Sequence, residues 1–246
     1  MRFLAVVCWL CTVVSFLPAQ EETWSVSFGG GINVLQMRSV NDDNQRDVEG
    51  FNATGIPIGP FPKLSTAPFL SGKVGYRFDP GIGAMLTVNY FSKEIETRFD
   101  NPDEYLHLIR SVSSTDFLGA LVYYPRLQLE MIEWSVELQL GFTLARATAR
   151  ALGERNNKVD GQPNFVKTFD SDATYAKSKL AVGLALGATL PLTHRLFVRG
   201  DASYKFAKVG TMEGNIRRFD TTIQQESTIE FDYSNLAFSL GIGMSF

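Results

Sequence analysis

The 246-residue sequence predicts an all-β chain, an eight-stranded antiparallel up-and-down transmembrane β-barrel that follows an N-terminal signal peptide. Three observations carry this reading. Apolar residues recur at every second position in segment after segment, the signature of strands rather than helices. Short and long connections between those segments alternate along the whole chain. The last segment, LAFSLGIGMSF (236–246), keeps its alternation up to a terminal Phe, where a chain end normally frays.

The N-terminal element is the first to justify. Met1 and Arg2 precede the uncharged run FLAVVCWLCTVVSF and then LPAQ, so residues 1–20 read as a secretory signal peptide and 21–246 as one barrel domain. Cys8 and Cys11 both fall inside that leader, which leaves the mature chain without cysteine. A disulfide scaffold, a thiolate metal site and a Cys nucleophile are thereby excluded from it. With Arg2 removed from the 23 basic side chains, 22 face 26 acidic ones, a net of −4 that offers nucleic acid no footprint.

The strands follow in order. WSVSFGGGINV (24–34) sets Trp24, Val26, Phe28 and Ile32 on one face, and LSGKVGYRF (70–78) sets Leu70, Val74, Tyr76 and Phe78 against Lys73 and Arg77. AMLTVNY (84–90) continues the pattern, whereas DFLGALVYY (116–124) is apolar on both faces and poorly phased. The clearest strand is IEWSVELQLGFTL (132–144), with Trp134, Val136, Leu138, Leu140 and Phe142 opposite Glu133, Glu137 and Gln139. KLAVGLALGATL (179–190), LFVRGDASYKF (196–206) and the C-terminal segment complete an even count.

Connections after the second, fourth and sixth strands, DPGIG, PRLQLEM and PLTHR, each carry Pro near the start, where its fixed φ suits a turn. The other four, roughly 35–69, 91–115, 145–178 and 207–235, read as long polar loops. Aromatic residues near strand ends (Trp24, Tyr76, Tyr90, Trp134, Tyr204) fit the girdles of a membrane barrel with its apolar side outward. In that orientation the polar faces line a lumen narrow enough for side chains to fill. Arg77 and Glu133 then lie low, Lys73, Glu137 and Asp201 near mid-height, Arg199 between them and Lys205 toward the loops. An unpaired buried ion is costly, so these seven residues are expected to form a charge-paired plug, with a gated narrow channel as the alternative.

Other chemistry is poorly supplied. FGGGIN (28–33) lacks the helix and Lys-Ser/Thr of a phosphate loop, and NDDNQRDVE (41–49) lacks the spacing of an EF-hand and reads as a solvated loop. No cofactor or metal is expected. A rim enzyme is a third reading, resting on His107 with Ser111, Ser113 and Ser114 nearby in sequence; their spacing matches no catalytic motif, and the chain is read as a non-enzyme. The loop stretches FVKTFD and IRRFD place cations beside aromatic rings, which suits lipopolysaccharide phosphates or a protein partner.

The leader, the even strand count, the alternating connections and the terminal Phe together resemble the eight-stranded OmpA-like outer-membrane barrels. The hairpin LSGKVGYRF to AMLTVNYFSKEIE, the strand WSVELQLGFTL and the ending LAFSLGIGMSF resemble the PorT-type outer-membrane β-barrel family. The resemblance spans 21–246. It implies a bacterial outer-membrane location among lipid and lipopolysaccharide, with the long loops outside. It further implies a structural or interaction role, through the loops or as a subunit of an envelope machine. A C-terminal aromatic in these families is read by the barrel-assembly machinery, which implies an assembly and seam role for Phe246, Met244 and Trp24.

Overall fold

The structure, a computed structural model, describes residues 24–79, 81–125, 131–158, 162, 164–219 and 221–246. The expected signal peptide, 1–20, lies outside the described residues, as does most of the turn PRLQLEM. In chain order the elements are β1 (Trp24–Leu35), α1 (Arg38–Ala53), β2 (Thr66–Asp79), β3 (Ile82–Asn101), β4 (Glu104–Tyr123), β5 (Glu133–Asn156), β6 (Phe165–Pro191) and β7 (Leu196–Phe206). Four short strands follow, β8 (Lys208–Gly210), β9 (Glu213–Arg218), β10 (Thr221–Glu226) and β11 (Phe231–Asp232), and β12 (Asn235–Ser245) ends the series.

Strands β1 to β7 and β12 pair with their neighbours, all antiparallel, and β12 closes the ring between β7 and β1. Closure is what lipid demands, because an open sheet edge leaves backbone N–H and C=O groups unpaired in hydrocarbon. At the seam Val26 faces Met244 and Ile32 faces Phe238. Trp24 and Phe246 exchange backbone hydrogen bonds, Trp24 N to Phe246 O at 3.3 Å and Phe246 N to Trp24 O at 2.9 Å. The terminal Phe is therefore the last rung of the seam.

The fold is inside out relative to a soluble barrel. Leu86, Leu121, Leu138, Leu140, Phe142, Leu184, Leu240 and Ile242 are all more than two-fifths exposed, while Glu137, Arg199 and Lys205 are buried. On β5 the outward apolar run extends from Trp134 to Leu144, close to the 9–11 residues that a tilted strand needs to cross hydrocarbon. Trp24 stacks obliquely on Tyr76 at 4.7 Å between ring centroids, and Tyr76 meets Phe78 edge-on at 5.1 Å, near the turn-end rim. No helix among the described residues is long and apolar enough to cross a membrane. The exterior band makes this a transmembrane β-barrel.

The short connections and both described chain ends share one end of the barrel, the turn end. At the loop end the expected long loops give way to folded structure. Strands β3 and β4 continue in register to a tight turn at 102–103, and β5 and β6 continue far beyond the apolar band. The segment NDDNQRDVE, expected to be a solvated loop, is the middle of α1. Val40, Asn44 and Val48 recur every four residues and form its buried face, a period the short acidic stretch alone does not display. Above the barrel β6 exchanges its partner: Val182–Pro191 pair with β7, whereas Ser171–Ala176 pair with β9, which pairs in turn with β10.

Between those two zones the chain turns inward. Ala207, Val209, Met212, Phe231 and Tyr233, on and around the β8–β11 pair, are almost wholly buried. They pack with Phe91, Val112, Leu118, Ala181 and, from α1 and its flanks, Met37 and Val40, into one apolar cluster across the loop-end mouth. Tyr233 donates its hydroxyl to Arg146 O at 2.7 Å, which satisfies the one polar atom that its ring carries into this cluster.

Candidate functional site

The lower lumen is built by the inward faces of β2, β4, β5 and β7. Glu137, fully buried on β5, accepts a hydrogen bond from Lys73 on β2 at 3.3 Å, one from Arg199 on β7, and one from Gln139 Nε2 at 2.7 Å. Asp201 meets Lys73 at 3.0 Å and Arg199 Nε at 2.8 Å. Arg199 also donates to Ser135 Oγ at 2.9 Å. These four charged groups, two of each sign, form a closed and neutral square in which every ion has partners, the condition under which burial of charge is tolerated.

The other expected residues fall above and below it. Arg77 pairs with Glu133 at the turn-end rim and lies over the Tyr124 ring, 3.8 Å from its centroid. Lys205 lies on the loop side of the square, but its partner is Asp116, which the sequence reading did not include. Thr143 Oγ1 donates to the same carboxylate at 2.8 Å. Asp116 opens DFLGALVYY, the segment read as apolar on both faces. Its signal lay in the phasing: with Phe117, Leu121 and Tyr123 outward, Asp116, Leu118, Ala120 and Val122 must point in. The lumen is accordingly mixed, since Val122 and Ala120 pack with Met85 near the turn end and Leu118 joins the loop-end cluster.

Packing around the square is tight. A void beside Lys73, Arg199 and Asp201 measures about 10 Å³, room for about one water. Above it the apolar cluster covers the mouth. Each charged side chain is thus held by neighbours on other strands, so an ion would have to displace a paired charge and then the cluster.

Residues weighed for catalysis are spread apart. His107 points outward from the β3–β4 hairpin and meets Glu96 Oε2 at 2.9 Å. Ser111 shares a hydrogen bond of 2.6 Å with Thr148, and Ser114 donates to Asp116 at 3.5 Å. Ser111 lies four residues along the strand from His107, roughly 13 Å at strand rise and beyond hydrogen-bond reach. His194 lies in the turn after β6, among residues lining the turn-end cavity. Among the described residues no group of His, Cys, Asp and Glu is arranged to hold a metal ion.

At the loop end α1 lies across the inner face of the extended β3–β6 sheet. Arg110 on β4 forms an ion pair with Asp47 on α1. Asn41 Oδ1 accepts a hydrogen bond from Leu64 N at 2.8 Å, and Asn52 Oδ1 accepts one from Ile58 N at 2.8 Å, which ties the segment after the helix back along it. Val48 packs with Ile56, Ile58, Leu106 and Leu108. Sequence reasoning missed this docked helix and the chamber it roofs.

No protein-family model and no curated protein matches the chain. Among solved structures it is similar to a major outer membrane protein from Thermus thermophilus, at 13% identity and a TM-score of 0.52, over 92% of this chain and 100% of that one. It also aligns with Ail, the attachment invasion locus protein of Yersinia pestis, in complex with the heparin analogue sucrose octasulfate (13% identity, TM-score 0.46, 92% and 100% covered). A third is OprG from Pseudomonas aeruginosa (10% identity, TM-score 0.46, 92% and 96% covered). The Thermus likeness identifies the fold, and with the exterior apolar band the chain has the architecture of an integral outer-membrane β-barrel.

Proposed function

We propose that this protein is a plugged barrel of the bacterial outer membrane whose role is structural or interactive, exerted through its loop end. Envelope integrity, binding at the cell surface and service as a subunit of a larger envelope machine all fall within that role. The observation that carries it is the closed interior: a neutral square of buried ions under an apolar cluster blocks the path through the barrel, and the loop end carries the most elaborated surface. Rigid scaffolds with elaborated connections commonly carry function there. Within the class, the alternating connections and the C-terminal strand support an OmpA-like or PorT-type assignment. The barrel-assembly machinery is proposed to read Phe246 at the exposed end of the seam. Lipopolysaccharide is proposed to meet the exposed Arg217 and Phe219 at the β9–β10 hairpin. No catalytic residue is assigned.

Site-specific photocrosslinking in cells tests the reading. A crosslinker at Gln225 on β10 is expected to capture lipopolysaccharide or a discrete envelope protein, and one at His194 in the turn is not. Crosslinks from His194 alone, or an intact envelope and no adduct from any loop-end position, would overturn it.

A further inference from the structure

Strand β10 pairs with β9 on one side, and among the described residues no strand pairs with its other side. The register fixes which backbone groups are left over. Ser227 donates its N–H to Met212 O at 2.8 Å. With the alternation of an antiparallel ladder, Gln225, Ile223 and Thr221 then turn their backbone toward β9, and Thr222, Gln224 and Glu226 turn theirs away. All six residues are exposed. Sheet edges are normally guarded by Lys, Pro, a bulge or a covering segment. TTIQQE carries neither Lys nor Pro, and the β9–β10 ladder runs without a register shift.

The hairpin is also charged unevenly along its outward face. Ile216 and its β6 neighbour Ala173 are buried, so Glu213, Asn215 and Arg217 face outward, with Glu226, Gln224 and Thr222 directly beside them. At one end Glu213 and Glu226 stand opposite each other, an unfavourable like-charge pair. Glu226 accepts a hydrogen bond from the Thr211 hydroxyl, and among the described residues neither carboxylate has a cation. At the other end stands Arg217, about half exposed, its nearest carboxylate that of Asp170 at 3.9 Å. The two ends are complementary to each other, which is the condition for a surface to pair with its own copy.

We propose that β10 is a homophilic docking edge that pairs antiparallel with β10 of a second copy held in a facing membrane. Two antiparallel strands of one sheet are related by a two-fold axis perpendicular to the sheet, so outward residues oppose outward residues only. With the axis at Gln224, Thr222 of each copy opposes Glu226 of the other, and every free backbone group of Thr222, Gln224 and Glu226 gains a partner. Each Arg217 then lies across Thr222 from Glu226 of the second copy, roughly 10 Å between backbones and within reach of the two side chains. An axis at Ile223 would instead leave Glu226 beyond the paired stretch and set Arg217 beside amides. Because β9 and β10 extend the barrel wall through β6, the axis points out of the wall and lies along the membrane plane. A half-turn about it inverts the second barrel. Two copies in one membrane cannot meet in this way, whereas two in facing membranes can. The inference rests on the reading that the loop end is the outer, interacting surface.

Light scattering from phosphatidylcholine–phosphatidylglycerol vesicles carrying the mature protein tests this. Parent vesicles are expected to cluster. Gln224→Pro removes the central free N–H but no bond to β9, and should abolish clustering. Vesicles with Arg217→Glu, and vesicles with Glu213→Arg and Glu226→Arg together, should each stay dispersed alone and cluster when mixed, a rescue that a folding defect would not give. Gln224→Cys should form a disulfide between copies, whereas Ile223→Cys should not, since those residues would be diagonal neighbours about 7–8 Å apart. Unheated gel mobility matching the parent would show that every variant folds. Clustering that survives Gln224→Pro, no rescue on mixing, or disulfides from Ile223→Cys in place of Gln224→Cys would overturn the proposal. Parent vesicles that stay dispersed would also overturn it, and would leave loop-end photocrosslinks in cells, and with them the proposed role, untouched.

Discussion

Lys205 Nζ reaches across the lumen from β7 to β4 and donates to both carboxylate oxygens of Asp116, at 2.7 Å each. Both side chains are only 4% exposed. The contact sits at the boundary between the ionic square below and the apolar cluster above, so neither partner has solvent to fall back on. Attraction offsets the desolvation of the two ions only while both are present.

Removing one partner should therefore cost far more than removing both. Asp116→Ala is expected to destabilise the barrel by about 3–5 kcal/mol, the range for an ion stranded in a buried site. Asp116→Leu combined with Lys205→Met, which replaces the pair by apolar groups of similar size, should return most of that loss. Urea unfolding in micelles, followed by tryptophan fluorescence, measures each variant. A double variant as unstable as Asp116→Ala would show that the loss does not come from a stranded Lys205 charge.

The same logic applies to Glu137, which serves both Lys73 and Arg199. Glu137→Ala leaves two cations sharing Asp201 and should also cost about 3–5 kcal/mol. It should not open the lumen, because Met212, Phe231 and Tyr233 still cover the mouth. Planar-bilayer recording is expected to find neither parent nor variant steadily conducting. Large steady currents from the parent that Glu137→Ala abolishes would identify a working channel.

Much of this architecture was legible because a strand leaves a period of two, and an inverted barrel writes that period in its apolar residues. The seven lumen charges were readable for that reason, each on the face of its strand opposite the apolar stripe. Asp116 escaped because its strand faces two apolar environments, lipid outside and Leu118, Ala120 and Val122 inside, so hydropathy alone gave it no phase. The loop end escaped for a different reason. In β3 to β6 beyond the band the outer face meets water, while the inner face mixes apolar residues packed under α1, such as Ile95, Leu106 and Leu108, with polar ones such as Arg110, which blurs the alternation without ending the strand. Helix α1 carries just two fully buried apolar side chains, Val40 and Val48, among acidic and amide residues, a weak signal that packing of Val48 and Phe51 with Leu106 and Leu108 and the Asp47–Arg110 ion pair complete.

The seam makes its own demand. A Cβ at Gly31 would lie 1.8 Å from Phe238 O on β12, closer than any side chain can approach backbone. Gly31→Val should force β1 and β12 apart and cost about 3 kcal/mol, the upper end for overpacking. Gly72→Val on β2, where a Cβ meets nothing within 4 Å, should stay within about 0.5 kcal/mol of the parent. Gel mobility of unheated samples, which separates closed barrels from open chains, reads the folded fraction. Equal folding of the two variants would remove the steric role of Gly31.

The last prediction concerns acid and the helix. Asp43 titrates above the ordinary carboxylate value of 3.8 in the folded chain, chiefly through burial and secondly through Asp47. A raised carboxyl binds its proton more tightly folded than unfolded, so the folded loop end gains from protonation. That gain is fully present below 3.8 and is lost as pH rises through 3.8 toward the raised folded value. At neutral pH Asp43 therefore works against the docking of α1, and Asp43→Asn removes the penalty. Hydrogen exchange should show α1 amides better protected in Asp43→Asn than in the parent at pH 7, with the difference closing below about pH 3, where both forms are neutral. Unequal protection persisting at low pH would place the effect in a hydrogen bond of the new amide. Weaker protection at pH 7 would mean that a cation, such as Arg110 or Arg46, outweighs burial at this carboxylate.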